Sequence, residues 1–334
     1  MKVWTGMCIN ILNELKYNDF STAASRKFFR ILFTHIQIVT DKTSTTGTRE
    51  LARLYHFLGV GHEEMGEYKT ALEYLKKALH IRENVLDNEH PDTATTCNSM
   101  AWVYNELREY ESALEYYDKA LSIRTKVLDK EHHDIAITYN CMAVVYRKQG
   151  KYELALKYLE DALRIKKKVL SGVQKSIGAS YGNTAVVYRK QGNYVRALEY
   201  YNNELPIREN VLGKEHPWTA NNYNEMGKVY EHLGKNDHAM VYYDKALAIY
   251  ENVLGKEHPD TAATYFNKAF VYSKWGDYEN ALNCYGKALI IRKKVFGEEH
   301  PSTKKTYEKA EDTYKNSKNK GTFDAWLKQN LQEL

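Results

Sequence analysis

Five histidines recur in one local setting. His90, His132, His216, His258 and His300 each follow a Glu, and all but His132 precede a Pro. Imidazole rings in series are the side chains that hold zinc or carry protons near neutral pH. Their spacing argues against both. They stand 42 or 84 residues apart, so each belongs to its own structural unit, too far from the next to share an ion whose ligands lie at about 2 Å. A role at helix openings or in loop packing fits better, and the adjacent pair His132-His133 reads as solvated. The four cysteines, Cys8, Cys97, Cys141 and Cys284, have no paired spacing, which argues against a disulfide framework, a zinc site or a redox couple and suits a reducing compartment. The chain holds no glycine-rich phosphate loop, HisGluxxHis, CysxxCys or GlyxSerxGly. Its carboxylates fall at helix starts and on exposed faces, where macrodipole and i to i+4 effects account for them. No catalytic residue, metal site or cofactor is expected.

What spaces the histidines is a repeat of 42 residues. Tyr68, Tyr110, Tyr152, Tyr194 and Tyr278 share one grid with Asn236, and Ala71, Ala113, Ala155, Ala197, Ala239 and Ala281 follow three residues later. Residues 50 to 301 hold six copies. Each reads as two helices. In the second copy the first helix opens at Pro91, whose missing N–H costs nothing there, with Asp92 favouring the positive helix start. Ala94, Cys97, Ala101 and Tyr104 then form one packed face. A turn at 107–109, GlnGly or LeuGly in later copies, ends that helix. The second helix runs from Tyr110 with Ala113, Leu114, Tyr117, Ala120 and Leu121 inward, and Gly213, Gly255 and Gly297 stop its later equivalents. The 28 tyrosines are thereby read as packing residues, with rings buried between helices and hydroxyls at the edge.

Small residues where paired helices touch (Ala101, Ala113, Ala120) and large ones in the hollows beside them (Tyr104, Tyr117) resemble the tetratricopeptide repeat. The usual unit is about 34 residues, so the longer one here extends the second helix by about two turns. Copies ending in IleArgGluAsnValLeuGlyLysGluHisPro, as at 207–217, are similar to the kinesin light chain branch. The resemblance covers residues 50 to 316. It implies an all-α, right-handed superhelical solenoid of antiparallel helix pairs, with residues 1–48 as N-terminal helices and a degenerate capping unit, 49–301 as six repeats, and 302–334 as a degenerate seventh repeat and a C-terminal capping helix. Within the first segment, residues 1–18 and 26–40 read as helices and 40–48 as a loop.

In that family the first helices line an inner groove that takes peptides. Carried over position by position, the groove residues are Asn98, Asn140, Asn183 and Asn224, with Asn267, as rungs able to grip a ligand backbone by donating and accepting; the alternative is that these amides bond neighbouring helices. Trp102 would be an apolar wall, and Arg147, Arg189 and Lys228 would sit further along. Residues 147 to 214 contain fourteen Lys and Arg against six Asp and Glu, in a chain whose net charge is +5, so the centre is basic and would steer an acidic ligand. Kinesin light chains take peptides with a Trp among acidic residues, a ligand similar in kind. Nucleic acid is disfavoured, since no aromatic-basic interleaving or known module occurs.

The fourth copy departs from the pattern. SerGlyValGlnLysSerIleGly replaces the GluHisPro segment at 171–178, Glu204 stands where Ala120, Ala162 and Ala246 stand elsewhere, and Pro206 falls inside the second helix. An interior Pro costs about 3 kcal/mol, which predicts a kink and a change of superhelical curvature around 171–208. At the other extremes of the chain, no apolar run reaches the about 20 residues needed to span a bilayer, and no signal peptide is recognisable, so a cytoplasmic place and no membrane partner are expected. The reading is a non-enzymatic scaffold or adaptor with a protein or peptide partner, probed first by acidic peptides. A sensor or autoinhibitory segment of a larger protein, and a self-associating scaffold, stand as alternatives. The motor-subunit role does not carry over, because residues 1 to 48 lack the sustained heptads of a coiled coil.

Overall fold

The computed structural model describes residues 48–86, 88–168, 174–317 and 321–330, and over them the chain forms fourteen α-helices and no strand. The first helices of successive pairs are α1 (Arg49–Glu64), α3 (Pro91–Glu106), α5 (His133–Lys148), α7 (Gln174–Lys190), α9 (Pro217–His232) and α11 (Pro259–Trp275). Their partners are α2 (Tyr68–Val85), α4 (Tyr110–Val127), α6 (Tyr152–Lys168), α8 (Tyr194–Leu212), α10 (Asn236–Val253) and α12 (Tyr278–Phe296). A seventh first helix, α13 (Pro301–Asn316), and a short α14 (Phe323–Asn330) follow. The expected helices at 1–18 and 26–40 and the loop at 40–48 lie at or beyond the edge of the described residues, as does the end of the capping helix.

The helices group into two compact units that divide at Leu170 and Ser171, with α1–α6 in one and α7–α14 in the other. Inside each unit a helix packs on its pair partner and on the next helix along the chain. The links of two or three residues between pair partners make them antiparallel.

The recurrent residues explain the pairs. His90, His132, His216, His258 and His300 are N-caps: each Nδ1 accepts the backbone N–H two residues on, at 3.0, 3.2, 3.1, 3.2 and 3.2 Å. This is the helix-opening role expected of them. The grid alanines Ala71, Ala113, Ala155, Ala197, Ala239 and Ala281 are wholly buried, so paired backbones approach closely, and Tyr117, Tyr201, Tyr243 and Tyr285 fill the hollows with almost no exposure. Other tyrosines stack across each pair, Tyr104 on Tyr116 and Tyr146 on Tyr158 at 5.4 Å, Tyr230 on Tyr242 at 5.2 Å. The tyrosine excess is a packing device.

An arginine, buried at 82 and 124 and half-buried at 292, joins one pair to the next. Arg82, Arg124 and Arg292, on one 42-residue grid, each reach from the end of a second helix to the opening turn of the following first helix. Arg124 Nη1 donates to the Asp134 carbonyl at 2.9 Å and to Thr138 Oγ1 at 2.6 Å. Arg292 does the same to Ser302 and Thr306 at 3.1 and 2.5 Å, and Arg82 to Asp92 at 2.6 Å and to Thr96.

The first helices that lead into a pair partner end in a left-handed residue. It is Gly150 (φ 76°) or Gly192 (φ 78°) in two copies, but Arg108 (φ 64°) after α3. That conformation costs a side chain about 1–2 kcal/mol. Replacing Arg108 by Gly removes that strain, and the freer unfolded chain of Gly offsets part of the gain, so Arg108→Gly is expected to stabilise by about 0.5–1 kcal/mol in urea denaturation.

Against the expectation at Pro206, α8 runs unbroken as one helix from Tyr194 to Leu212. Pro206 is exposed, as is Asn202, so the carbonyl that loses its helical donor turns to water instead of being stranded in the core. With the helix intact, the curvature change inferred from a kink loses its support; the 171–173 part of that segment lies outside the described residues. Among the described residues no helix is long and apolar enough to cross a membrane.

Candidate peptide-binding face

The first helices carry the residues singled out as groove-lining, and the structure shows how each is held. In the first unit Asn98 is half-buried on α3, and its Oδ1 accepts from Arg124 Nη1 at 3.5 Å. Trp102, one turn on, is half-buried against the core cluster that includes Leu72, Leu75 and Met100, with the Tyr68 ring centroid at 6.3 Å. Asn140 and Arg147 lie half-buried on α5. Beside Arg147, Lys148 donates to Glu106 on α3 at 2.9 Å, and Asn105 donates to the same oxygen at 2.9 Å. Adjacent first helices are thus tied by charge at their last turns.

In the second unit the polar groups converge on one carboxylate. Glu225 on α9 receives Arg189 of α7 at 3.1 Å, Lys228 of its own helix at 2.5 Å and the hydroxyl of Tyr201 at 3.4 Å. Burial alone would raise the Glu225 carboxyl; Lys228 and Arg189 outweigh it and hold the group below the usual carboxylate range. The same arrangement pushes the Tyr201 hydroxyl far up, through burial first and the Glu225 charge second. Asn224 Oδ1 accepts from Asn267 Nδ2 at 3.0 Å across α9 and α11, and Lys274 reaches Glu231 at 3.3 Å. Asn183 is half-buried on α7.

Arg189 and Lys228 are therefore brought together, and Asn224 is paired with Asn267. Two of the five rungs, Asn98 and Asn224, already accept bonds from neighbouring helices. Arg147 and Arg189 belong to different units. Sequence reasoning missed the centre of the network. Glu225 occupied a groove position on the grid, and a Glu three residues before Lys228 and 36 after Arg189 was the available signal. Among the described residues no three His, Cys, Asp or Glu are disposed to hold a metal ion.

A tetratricopeptide repeat family model matches residues 50–126, 98–168, 176–252, 224–294 and 260–319. A comparison with curated proteins finds no match. Among solved structures, the chain is similar to BtubC (BKLC) from P. vanneervenii, with 22% identity, TM-score 0.56, and coverage of 72% of this chain and 93% of that one. It is similar to a kinesin light chain-type protein of Podosopora anserina with nearly identical TPR-like repeats, at 24% identity, TM-score 0.50, and 60% and 95% coverage. The apo form of RapI superposes with TM-score 0.65 over 88% and 98% of the two chains at 19% identity. With His-capped helix pairs repeating every 42 residues and the family model matching most of the chain, this protein belongs to the tetratricopeptide repeat family.

Proposed function

We propose that the protein is a non-enzymatic adaptor that binds acidic peptide segments of other proteins along its first-helix faces. Members of this fold serve generally as protein-interaction scaffolds, and the observation that carries the finer reading is the Glu225 network. It supports that reading because two cations and a tyrosine hydroxyl converge on one carboxylate, half shielded from water, where an ion pair is worth more than on an open surface. A peptide carboxylate would compete with or add to Glu225. In the first unit Trp102 offers an apolar contact of the kind that anchors interfaces, with the Asn98 and Asn140 amides on the same helix faces and Arg147 at the end of α5.

Fluorescence anisotropy with labelled peptides, acidic with and without Trp, basic and neutral, at two salt concentrations, tests this. Acidic peptides are expected to bind best, and more weakly at high salt. Glu225→Gln, which frees Arg189 and Lys228, is expected to tighten acidic peptides about tenfold, near 1.4 kcal/mol. Arg147→Glu with Arg189→Glu is expected to lose them by at least that factor. Equal, weak binding of every peptide would sink the reading and favour self-association, which sedimentation at two concentrations detects. A cytoplasmic location is part of the same proposal.

A further inference from the structure

Five departures from the repeat meet at one joint, where α8 hands over to α9. Glu204 on α8 stands where Ala120, Ala162, Ala246 and Ala288 stand in other pairs. It is 1% exposed. On the facing α7 the groove position is Gly182, and a Cβ there would collide with the Glu204 carboxylate; the carboxylate occupies room that the missing side chain leaves. On α9, Asn222 replaces the Thr of the arginine clamp (Thr96, Thr138, Thr306), and Trp218 replaces its Asp or Ser. Arg208 holds the clamp position itself, on the grid of Arg82, Arg124 and Arg292, yet it does not clamp. It is ion-paired to Glu204 and its guanidinium lies over the Trp218 ring, 5.4 Å from the centroid.

The clamp's acceptors are still in place. In the three arginine joints described above, the guanidinium donates to the carbonyl ten residues on and to the side chain fourteen residues on. For Arg208 these are the Trp218 carbonyl and Asn222. Asn222 is 1% exposed, its Nδ2 donates to Glu204 Oε2 at 2.8 Å, and its Oδ1 is buried with no hydrogen-bond partner. A buried amide oxygen left unpaired costs about 1–3 kcal/mol in general, and here it sits where an arginine donor is received in the other joints.

We propose that this joint is a two-position switch worked by one proton: with Glu204 ionised Arg208 is held on Glu204 and Trp218, and with Glu204 protonated Arg208 moves to the Trp218 carbonyl and Asn222 Oδ1, completing the clamp. One proton is taken up from solvent and an ion pair is exchanged for two hydrogen bonds. The second position is the arrangement that Arg82, Arg124 and Arg292 already adopt in this molecule. Charged and titratable groups around Glu204 are Arg208 and Tyr201 on its own helix, Glu225 with its partner Lys228 on α9, and Arg189 on α7, which is engaged by Glu225. Burial, opposed by Arg208 and Asn222 and aided by Glu225, brings the Glu204 carboxyl up to about 7, inside the range where cells vary.

The sign follows. A carboxyl raised from about 4.5 in the unfolded chain to about 7 in the folded one binds its proton more tightly when folded, so this group adds stability as pH falls from about 7 towards 4.5 and withdraws it as pH rises. Because Tyr201 and Glu225 belong both to this neighbourhood and to the first-helix face, the switch would set the binding face proposed above; that consequence rests on the binding reading, but the switch itself does not.

Trp218 emission in the whole chain without any peptide tests it, isolated as the difference between the unaltered protein and Trp218→Phe from pH 5 to 9. A transition with a midpoint between pH 6 and 8 is expected, and Glu204→Gln is expected to show the acid-side emission throughout. Glu204→Ala, which installs the residue used at the other joints, is expected to behave like Glu204→Gln and serves if that variant folds poorly. A flat profile in the unaltered protein overturns the proposal. So does a transition that survives in both variants, which would belong to His216, the ring that caps Trp218. Failure of peptide binding with this transition intact would count against the adaptor reading alone.

Discussion

Arg124→Ala is expected to lower the stability of the first unit by about 3 kcal/mol, the larger of the single-residue effects foreseen here. Arg124 is 5% exposed and spends one nitrogen on the Asp134 carbonyl and Thr138 Oγ1, with Asn98 Oδ1 at the edge of reach. Hydrogen bonds from a charged donor contribute about 1.5–3 kcal/mol each, and the acceptors left behind in a dry interface lose more than the bond. The alkyl stem adds packing that alanine does not replace. Burial pulls the guanidinium's pKa down, a desolvation cost that alanine no longer carries and that offsets part of the loss. Arg124→Met keeps the stem and separates the two parts: it should recover the packing share and leave the acceptors unmet. Urea midpoints followed by circular dichroism read both. A loss under about 1 kcal/mol for alanine would show that the clamp is decoration.

The second large effect is a coupling. Gly182→Asn installs the residue found at Asn98, Asn140 and Asn224, but its Cβ would lie 2.7 Å from Glu204 Cδ and 2.8 Å from Oε2. The carboxylate is pinned by Arg208 and Asn222 and has little room to retreat. Overpacking of this kind costs about 1–3 kcal/mol, and disturbing a buried ion pair adds to it. With Glu204→Ala in the same chain the collision is gone and the joint returns to the pattern of its neighbours. The double variant is therefore expected to be more stable than Gly182→Asn alone by about 2 kcal/mol or more, with an interaction energy of about 2–3 kcal/mol in the cycle. Additive losses would mean that Gly182 and Glu204 were not fitted to one another.

The helices were legible from the sequence because a 42-residue grid repeats the same constraints: Pro91, Pro217, Pro259 and Pro301 at first positions, alanines at closest approach, tyrosines in hollows. One copy suffices to interpret the others. What did not repeat was harder to read. Pro206 looked like a break when judged alone, and only its place on the solvent side of α8 makes it harmless. The Asn rungs were recognised as a row, yet the choice between ligand and neighbour turns on side-chain direction, which spacing does not carry; Asn224 bonds Asn267 and Asn98 receives Arg124. Glu225 was hidden for the same reason. Its partners are 36 residues before it and three after, and that combination acquires meaning once α7 and α9 are side by side. The arginine clamp is a grid feature that periodicity could have revealed, since Arg82, Arg124 and Arg292 pair at one offset with Thr96, Thr138 and Thr306.

Within each unit the described helices rest mainly on neighbours that are also adjacent in the chain, with alternate first helices joined at single side-chain ties, and the arginine clamps cross only from one pair to the next. Nothing in such an arrangement waits for distant parts of the polypeptide to find each other. Loop closures are short, so each pair can form as soon as its residues have left the ribosome and then template the next. Under tension the same locality works in reverse: a unit gives way pair by pair, each 42-residue repeat releasing about 140–150 Å of chain, and a protein stretched between two partners would yield in steps and not all at once.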